Sequence, residues 1–299
     1  LLDRTESGEF ASELWQQITA NGFHQLGDAA SGTTAADTYA FLKVCGRFAV
    51  PLPMSEIILG HSWGIGSLAP CAGLISIGRA HGDTAIQVPW GRRAARVFAV
   101  QAESLEVTVT DAPVLAQEDI NMAGEARDSM AMAGQIQQIV LADDPFAQMA
   151  LARTNLMAGT LQAVLDLGLQ FAAEREQFGR SISKFQAIQH SLAVVAAEVA
   201  AAQRAADAGV DALGTDRFVA EVAASKARVG EAVGIVAEQV HQVHGAMGFT
   251  HEHRLHHFTR RLWAWRDEWG NEAYWQRVLG ARLVALGADR VWNYIATRG

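Results

Sequence analysis

No proline follows Pro145, and beyond it apolar side chains recur every three or four residues in four successive stretches. Met157, Leu161, Val164, Leu165, Gly168 and Phe171 form the first, and Ile188, Leu192, Val195 and Val199 the second. Val222, Val229, Val233, Val236, Val240 and Val243 form the third, and Trp275, Val278, Leu279 and Leu283 the fourth. A helix turns once in about 3.6 residues, so each stretch lines up one apolar stripe that must be buried. Four such helices, free of the residue that breaks helices, predict an antiparallel four-helix bundle over residues 145–299. Alanines at 196, 197 and 200–202 let neighbouring helices approach closely.

The period changes upstream. Leu105 to Thr110 alternates apolar and polar residues, as a half-buried strand does. Ala95 to Val100 and Ile136 to Leu141 are short apolar runs, separated by Gly, Pro and Asp. Residues 66–144 therefore predict a small antiparallel sheet or barrel. Residues 1–65 predict a short helical region: Phe10 to Ala20 closed by Asn21-Gly22, Thr34 to Gly46, and Ser55 to Ser62 opened by a serine N-cap. The expected fold is mainly α with a small central β domain.

Half the residues are hydrophobic, which excludes disorder as a global description. The net charge of −8 is unclustered and argues against nucleic acid as the main partner. Cys45 and Cys71 are isolated thiols with no metal spacing, which suits a reducing cytoplasm. No uninterrupted apolar run reaches the roughly 18–20 residues of a membrane span. The start at Leu1 lacks an initiator Met and any signal-peptide pattern, so an incomplete N-terminus is expected.

Two segments of the bundle carry a family resemblance. Arg175-Glu-Gln-Phe-Gly179, followed by Phe185-Gln-Ala-Ile-Gln-His190, resembles the R-x-x-F-G and Q-x-I-Q/S signature of acyl-CoA dehydrogenases. Gln242-Val-His-Gly-Ala-Met-Gly-Phe-Thr250 is similar to that family's Q-x-x-G-G-x-G-F/Y segment, with Ala246 where a glycine is usual. Arg260 falls where the family has an arginine before its active-site turn. The resemblance covers the chain in domain order, and strongly only about residues 145–285. It implies α,β-dehydrogenation of an acyl-CoA thioester with FAD and an electron-transferring flavoprotein as acceptor. In the family these segments reach across a dimer interface to the adenine-diphosphate end of the partner's FAD. Carried over, Arg175, Gln177, Phe178, Gln242, Gly245 and Ala246 are the flavin contacts. A forked guanidinium and glycines without Cβ also suit a pyrophosphate on physical grounds.

The family pattern breaks in two places. The usual Y-E-G-T turn reads Arg266-Asp-Glu-Trp-Gly-Asn-Glu272, so Trp269 takes the position of the catalytic base and Glu268 lies one residue early. Glu268 is the candidate base; the bland reading is a solvated glutamate or one paired with Arg260, Arg261 or Arg266. The family's alternative base position, on the first bundle helix, matches Met149 beside Gln148, neither of which takes a proton. The T-E-P-x-A-G-S-D loop that lies on the flavin ring is missing between His61 and Gly78. Such a chain resembles the short subunits of heterotetrameric dehydrogenases of lipid or steroid catabolism, which lend FAD contacts to a catalytic sister. Two alternatives stay open: a helical assembly protein that has lost flavin, and a self-sufficient homo-oligomeric dehydrogenase using Glu268.

Three other clusters have blander accounts. His251, His253, His256 and His257 with Glu252 form no HExxH, and no metal is expected there. Trp263, Trp265, Trp269 and Trp275 read as aromatic core or subunit contact. Arg92, Arg93 and Arg96 are candidates for a CoA phosphate, although basic residues at a strand start are common.

Overall fold

The computed structural model describes residues 1–28 and 31–297. Four helices open the chain: α1 (Leu2–Glu6), α2 (Ser12–Ala20), α3 (Ala35–Arg47) and α4 (Met54–Gly64). Thr34 caps α3 in a reciprocal box with Asp37, which satisfies two otherwise orphaned N–H groups. Ser55 is not the N-cap of α4: Pro53 holds that position, and the Ser55 hydroxyl donates instead to buried Glu56.

The strands are β1 (Leu74–His81), β2 (Thr84–Pro89), β3 (Ala94–Val100), β4 (Glu106–Thr110), β5 (Val114–Gln117), β6 (Arg127–Ala131) and β7 (Ile136–Val140). They form one sheet in the order β5-β6-β2-β1-β3-β4-β7. The expected sheet was antiparallel throughout, but β1 and β3 pair in parallel. Ala94 follows a short turn at Gly91–Arg93 that returns the chain to the far side of β1.

Helices fill the rest: α5 (Pro145–Glu174), α6 (Gln186–Asp211), α7 (Phe218–His244), α8 (Leu255–Asp267), α9 (Glu272–Leu286) and α10 (Ala288–Thr297). α5, α6, α7 and α9 make the bundle, and α8 crosses against α5. A two-stranded hairpin, β8 (Glu176–Gln177) with β9 (Arg180–Ser181), interrupts the helices between α5 and α6. Asp144 starts α5 by accepting from the N–H groups of Phe146 and Ala147, with Pro145 in the first turn, where its missing N–H costs nothing.

α5 is the core of the molecule. It meets the length and hydropathy of a membrane span, which a count of uninterrupted apolar residues misses. Its residues from Met149 to Leu161 are all buried under α3, α6 and α7. α3 approaches α5 so closely that a Cβ on Gly159 would lie 1.9 Å from the Lys43 carbonyl oxygen, and one on Gly46 2.0 Å from that of Leu156. Only glycine permits that contact, and the Thr160 hydroxyl donates across it to the Gly46 carbonyl.

Candidate functional site

One end of the bundle gathers the residues that the sequence pairs. Ala172 of α5, Leu192 of α6 and Val243 of α7 form a small apolar cluster there, with Phe171, Ile182 and Ile188 against it. The Phe171 ring stacks on His244 at 4.3 Å. Arg175 ends α5 one turn beyond Phe171, and Gly245 directly follows His244. The 176–181 hairpin and the 245–249 turn are thus rooted side by side. The Ser181 hydroxyl, donating to the Ala172 carbonyl, fixes the hairpin's return.

The outward faces at this end are bare. Arg175, Gln177, Phe178, Gln242, Gly245 and Ala246 are all exposed. Among the described residues, the side chains of Arg175, Gln177 and Gln242 make no hydrogen bond or ion pair. Phe178 is 91% exposed and Phe249 75%. Phe178 and Gly179 sit at φ +53° and +78°, as a two-residue hairpin turn requires. Asparagine or glycine would do this at less cost than phenylalanine. Among the described residues, the Phe178 ring meets only the edge of Phe185, 6.1 Å between centroids. Gly245 has φ +58°, and nothing lies within 4 Å of where a Cβ would stand, so its backbone is open to a ligand.

Glu268 lies elsewhere, in the seam between sheet and bundle. It is buried, and both carboxylate oxygens are occupied: Oε1 accepts from Arg127 Nε at 2.7 Å, and Oε2 from Arg153 Nε at 2.6 Å. Its partners are therefore neither Arg260, Arg261 nor Arg266. The chain of charges continues both ways. Arg153 also donates to Glu56 at 2.5 Å and to the Ser55 hydroxyl at 2.9 Å. Glu125 accepts from Arg127, Asn121 and the Trp265 indole, each at 2.9 Å. Arg261 Nε lies 3.2 Å from Glu125, and its Nη1 donates to Glu6 at 2.5 Å. One ionic chain thus ties α1, α4, β6, α5, α8 and the 268–271 turn together.

Electrostatics follow from that geometry. Burial alone would raise the pKa of Glu268, but Arg127 and Arg153 outweigh it and hold the carboxyl below its ordinary value. At Glu125 burial is likewise overcome, by Arg127 and Arg261, and the pKa is pushed down to about 2. The network walls off an inner cavity of about 30 Å³ between Pro51, Trp90, Arg127 and Arg153. That is room for one or two waters. On its outer side lies an open groove of about 540 Å³, with Trp263, Asp267 and Glu268 on one wall and Ile86, Gln87 and Met122 on the other.

The turn that carries Glu268 is held from beneath by Lys226 of α7. Its buried ammonium donates to the carbonyls of Arg266 at 2.7 Å and Gly270 at 2.8 Å, and lies 3.5 Å from that of Trp265. It thereby caps the C-terminal end of α8. Burial lowers its pKa to about 7, despite Glu272, Glu268 and Asp267. The unfolded chain keeps this proton up to about pH 10. Between about pH 7 and pH 10 the unfolded state therefore binds the proton that the fold has released, so stability rises with pH across that window. Lys226→Met is expected to flatten that rise relative to wild type, measured by urea unfolding across the same pH range.

The remaining candidates resolve into structure. Met149 is fully buried, and Gln148 accepts from the Trp63 indole at 2.6 Å. Arg92 pairs with Asp128 and Glu118, and Arg96 with Asp111. Arg93 lies over the Phe10 ring. Arg260 donates to the Met122 carbonyl at 2.9 Å. Trp265, Trp269 and Trp275 are buried in the core. Nothing local in the sequence singles out Arg127 and Arg153. No spacing rule links residues 115 and 141 positions from Glu268.

Residues 139–284 match the family model of the acyl-CoA dehydrogenase C-terminal domain. The chain is 35% identical over 138 residues to acyl-CoA dehydrogenase FadE34 of Mycobacterium tuberculosis, 44% of this chain and 19% of that protein. This chain thus matches only about a fifth of FadE34's length. It is 25% identical over 247 residues to acyl-CoA dehydrogenase IpdE2 of Mycolicibacterium smegmatis, covering 77% of this chain and 73% of that one. In structure it is similar to a chain of the ChsE4–ChsE5 complex from Mycobacterium tuberculosis, with a TM-score of 0.77 at 19% identity over 94% of this chain and 91% of that one. The last likeness establishes the fold over 94% of the chain, and residues 139–284 belong to the acyl-CoA dehydrogenase C-terminal domain family.

Proposed function

We propose that this chain is the lending subunit of a flavin-dependent acyl-CoA dehydrogenase. In this reading it offers Arg175, Gln177, Phe178, Gln242, Gly245 and Ala246 to the FAD of a sister subunit and holds no acyl thioester of its own. The observation that carries the reading is a contrast. Unpaired polar groups stand at the exposed bundle end, while the inner cavity of the seam measures about 30 Å³ and the Glu268 carboxylate that borders the 540 Å³ groove is bound by arginines on both oxygens. Likeness to a chain of a two-subunit complex supports a sister as partner.

The donor set fits a dinucleotide diphosphate. Arg175 supplies a planar, permanently charged fork free to pair bidentately with phosphate oxygens. Gln177 and Gln242 add neutral amides, and Gly245 lets backbone approach. Phe178 and Phe249 offer flat apolar faces. FAD held there by these residues would supply the acceptor for a hydride from the β-carbon of the sister's thioester. Glu268 suits a latch better than a base. A base needs a lone pair facing the reactant and a pKa raised toward neutrality. Here both oxygens are engaged, and the arginines lower the pKa. Trp292, 78% exposed on α10, and Val284, 82% exposed on α9, give further surface for a partner. The substrate class expected for such a branch is a bulky, ring-bearing acyl-CoA.

Co-expression tests this. The chain purified alone is expected to be colourless. Co-expressed with a sister dehydrogenase subunit, it should co-purify as a yellow complex with a flavin spectrum and acyl-CoA-dependent reduction of an electron acceptor. Colour in the lone chain would mean a self-sufficient dehydrogenase, and colour under neither condition an assembly protein without flavin.

A further inference from the structure

We propose that Asp3, His256 and His257 hold a divalent transition-metal ion that clasps α1 to α8. One ring nitrogen of each histidine and a carboxylate oxygen of Asp3 lie within 4.8 Å of one another. The tautomers are fixed by partners that can only accept. His256 Nδ1 lies 2.9 Å from the His253 carbonyl oxygen, and His257 Nδ1 2.8 Å from a Glu6 carboxylate oxygen. Both Nδ1 atoms must therefore carry the proton and donate it. In the neutral imidazole this leaves Nε2 as a bare lone pair on each ring.

His257 Nε2 then faces Asp3 Oδ1 at 3.4 Å. Two acceptors opposed at that distance repel unless a cation or a second proton lies between them. A metal ion resolves the conflict without charging the ring. An Nδ1–H donated to a carboxylate or a backbone carbonyl is also how metal-bound histidines are usually oriented. Two imidazoles and one carboxylate suit zinc and its first-row neighbours, and leave a fourth position open. Metal–ligand bonds of about 2.0–2.2 Å require the ligand atoms to close to about 3.3 Å of one another. The Asp3 side chain, 86% exposed, is free to swing in. The sequence hides this site because its third ligand lies some 250 residues from the histidines. The pair at helical spacing, His253 and His257, is not the pair that converges.

Zinc is the probe. The full-length protein, stripped with chelator, is expected to take up one zinc per chain by calorimetry and by elemental analysis, with a dissociation constant in the micromolar range or tighter. Zinc should also raise its thermal midpoint. Asp3→Asn and His256→Ala, both at accessible positions, should each weaken binding at least tenfold and abolish the thermal shift while leaving the circular dichroism spectrum unchanged. Cobalt substitution should give visible d–d absorption in the wild type and not in the variants. The proposal is overturned by the absence of stoichiometric zinc, or by binding that both variants retain, which would assign the ion to His251 or His253 instead. Neither outcome bears on flavin sharing.

Discussion

Glu268→Gln is expected to destabilise the fold by about 3–5 kcal/mol, the usual cost of removing one member of a buried ionic network, while turnover per bound flavin in the assembled enzyme stays unchanged. The cost follows from what the substitution strands. Arg127 and Arg153 are both buried, and each directs its Nε at one oxygen of Glu268. Glutamine keeps the shape but brings no charge, and it points its own N–H donors at one of two guanidiniums. Glu56 still pairs with Arg153 and Glu125 with Arg127, but each through Nη2, so the buried Nε of both arginines loses its charged partner. Denaturant unfolding of the chain gives the stability, and steady-state turnover normalised to flavin absorbance gives the chemistry. The two readouts separate the roles. A general base lost to glutamine abolishes turnover in a folded, yellow complex, and that result would restore Glu268 as the catalytic carboxylate.

The same contrast marks what could be read from the chain. The bundle was legible because burial imposes a period of about 3.6 residues, and that period survives in valines, leucines and alanines. A few helix ends were legible because caps are local chemistry, as at Thr34, where the box with Asp37 closes within three residues. The parallel β1–β3 pair was not, because nothing local distinguishes a strand that returns beside its neighbour from one that crosses over it. The exposed end was legible as a motif: Arg175 and Gly245 belong to two short segments at family spacing, and helix geometry brings them together. The latch was not. Glu6, Glu56, Arg127, Arg153 and Glu268 are scattered over the whole chain, and each alone looks like a surface charge. Arg153 lies one helical turn past Met149, so the helix face read as empty of a base carries the cation that neutralises one.

Arg175→Ala is expected to leave the lone chain's thermal midpoint unchanged and to cut the flavin retained by the assembled complex at least tenfold. The first half follows from exposure: among the described residues the Arg175 side chain has no partner to lose. The second follows from the proposed role, since a bidentate guanidinium–phosphate contact is among the stronger hydrogen-bonded pairs and lysine does not reproduce its geometry. Phe178→Gly sharpens the test by moving the two quantities in opposite directions. Phe178 sits at φ +53° with its ring 91% exposed. Glycine adopts that backbone freely, so the chain alone should gain up to about 1 kcal/mol from relieved strain. The complex should lose flavin, because the ring's contact is gone. A purely structural hairpin tip would show the gain without the loss. Absorbance ratios of flavin to protein, taken on complexes of equal stoichiometry, measure one quantity, and thermal unfolding of the lone chain measures the other. If flavin content is unchanged in both variants, the 175–181 hairpin lies outside any dinucleotide site, and the open groove of about 540 Å³ beside Glu268 becomes the place to look for one.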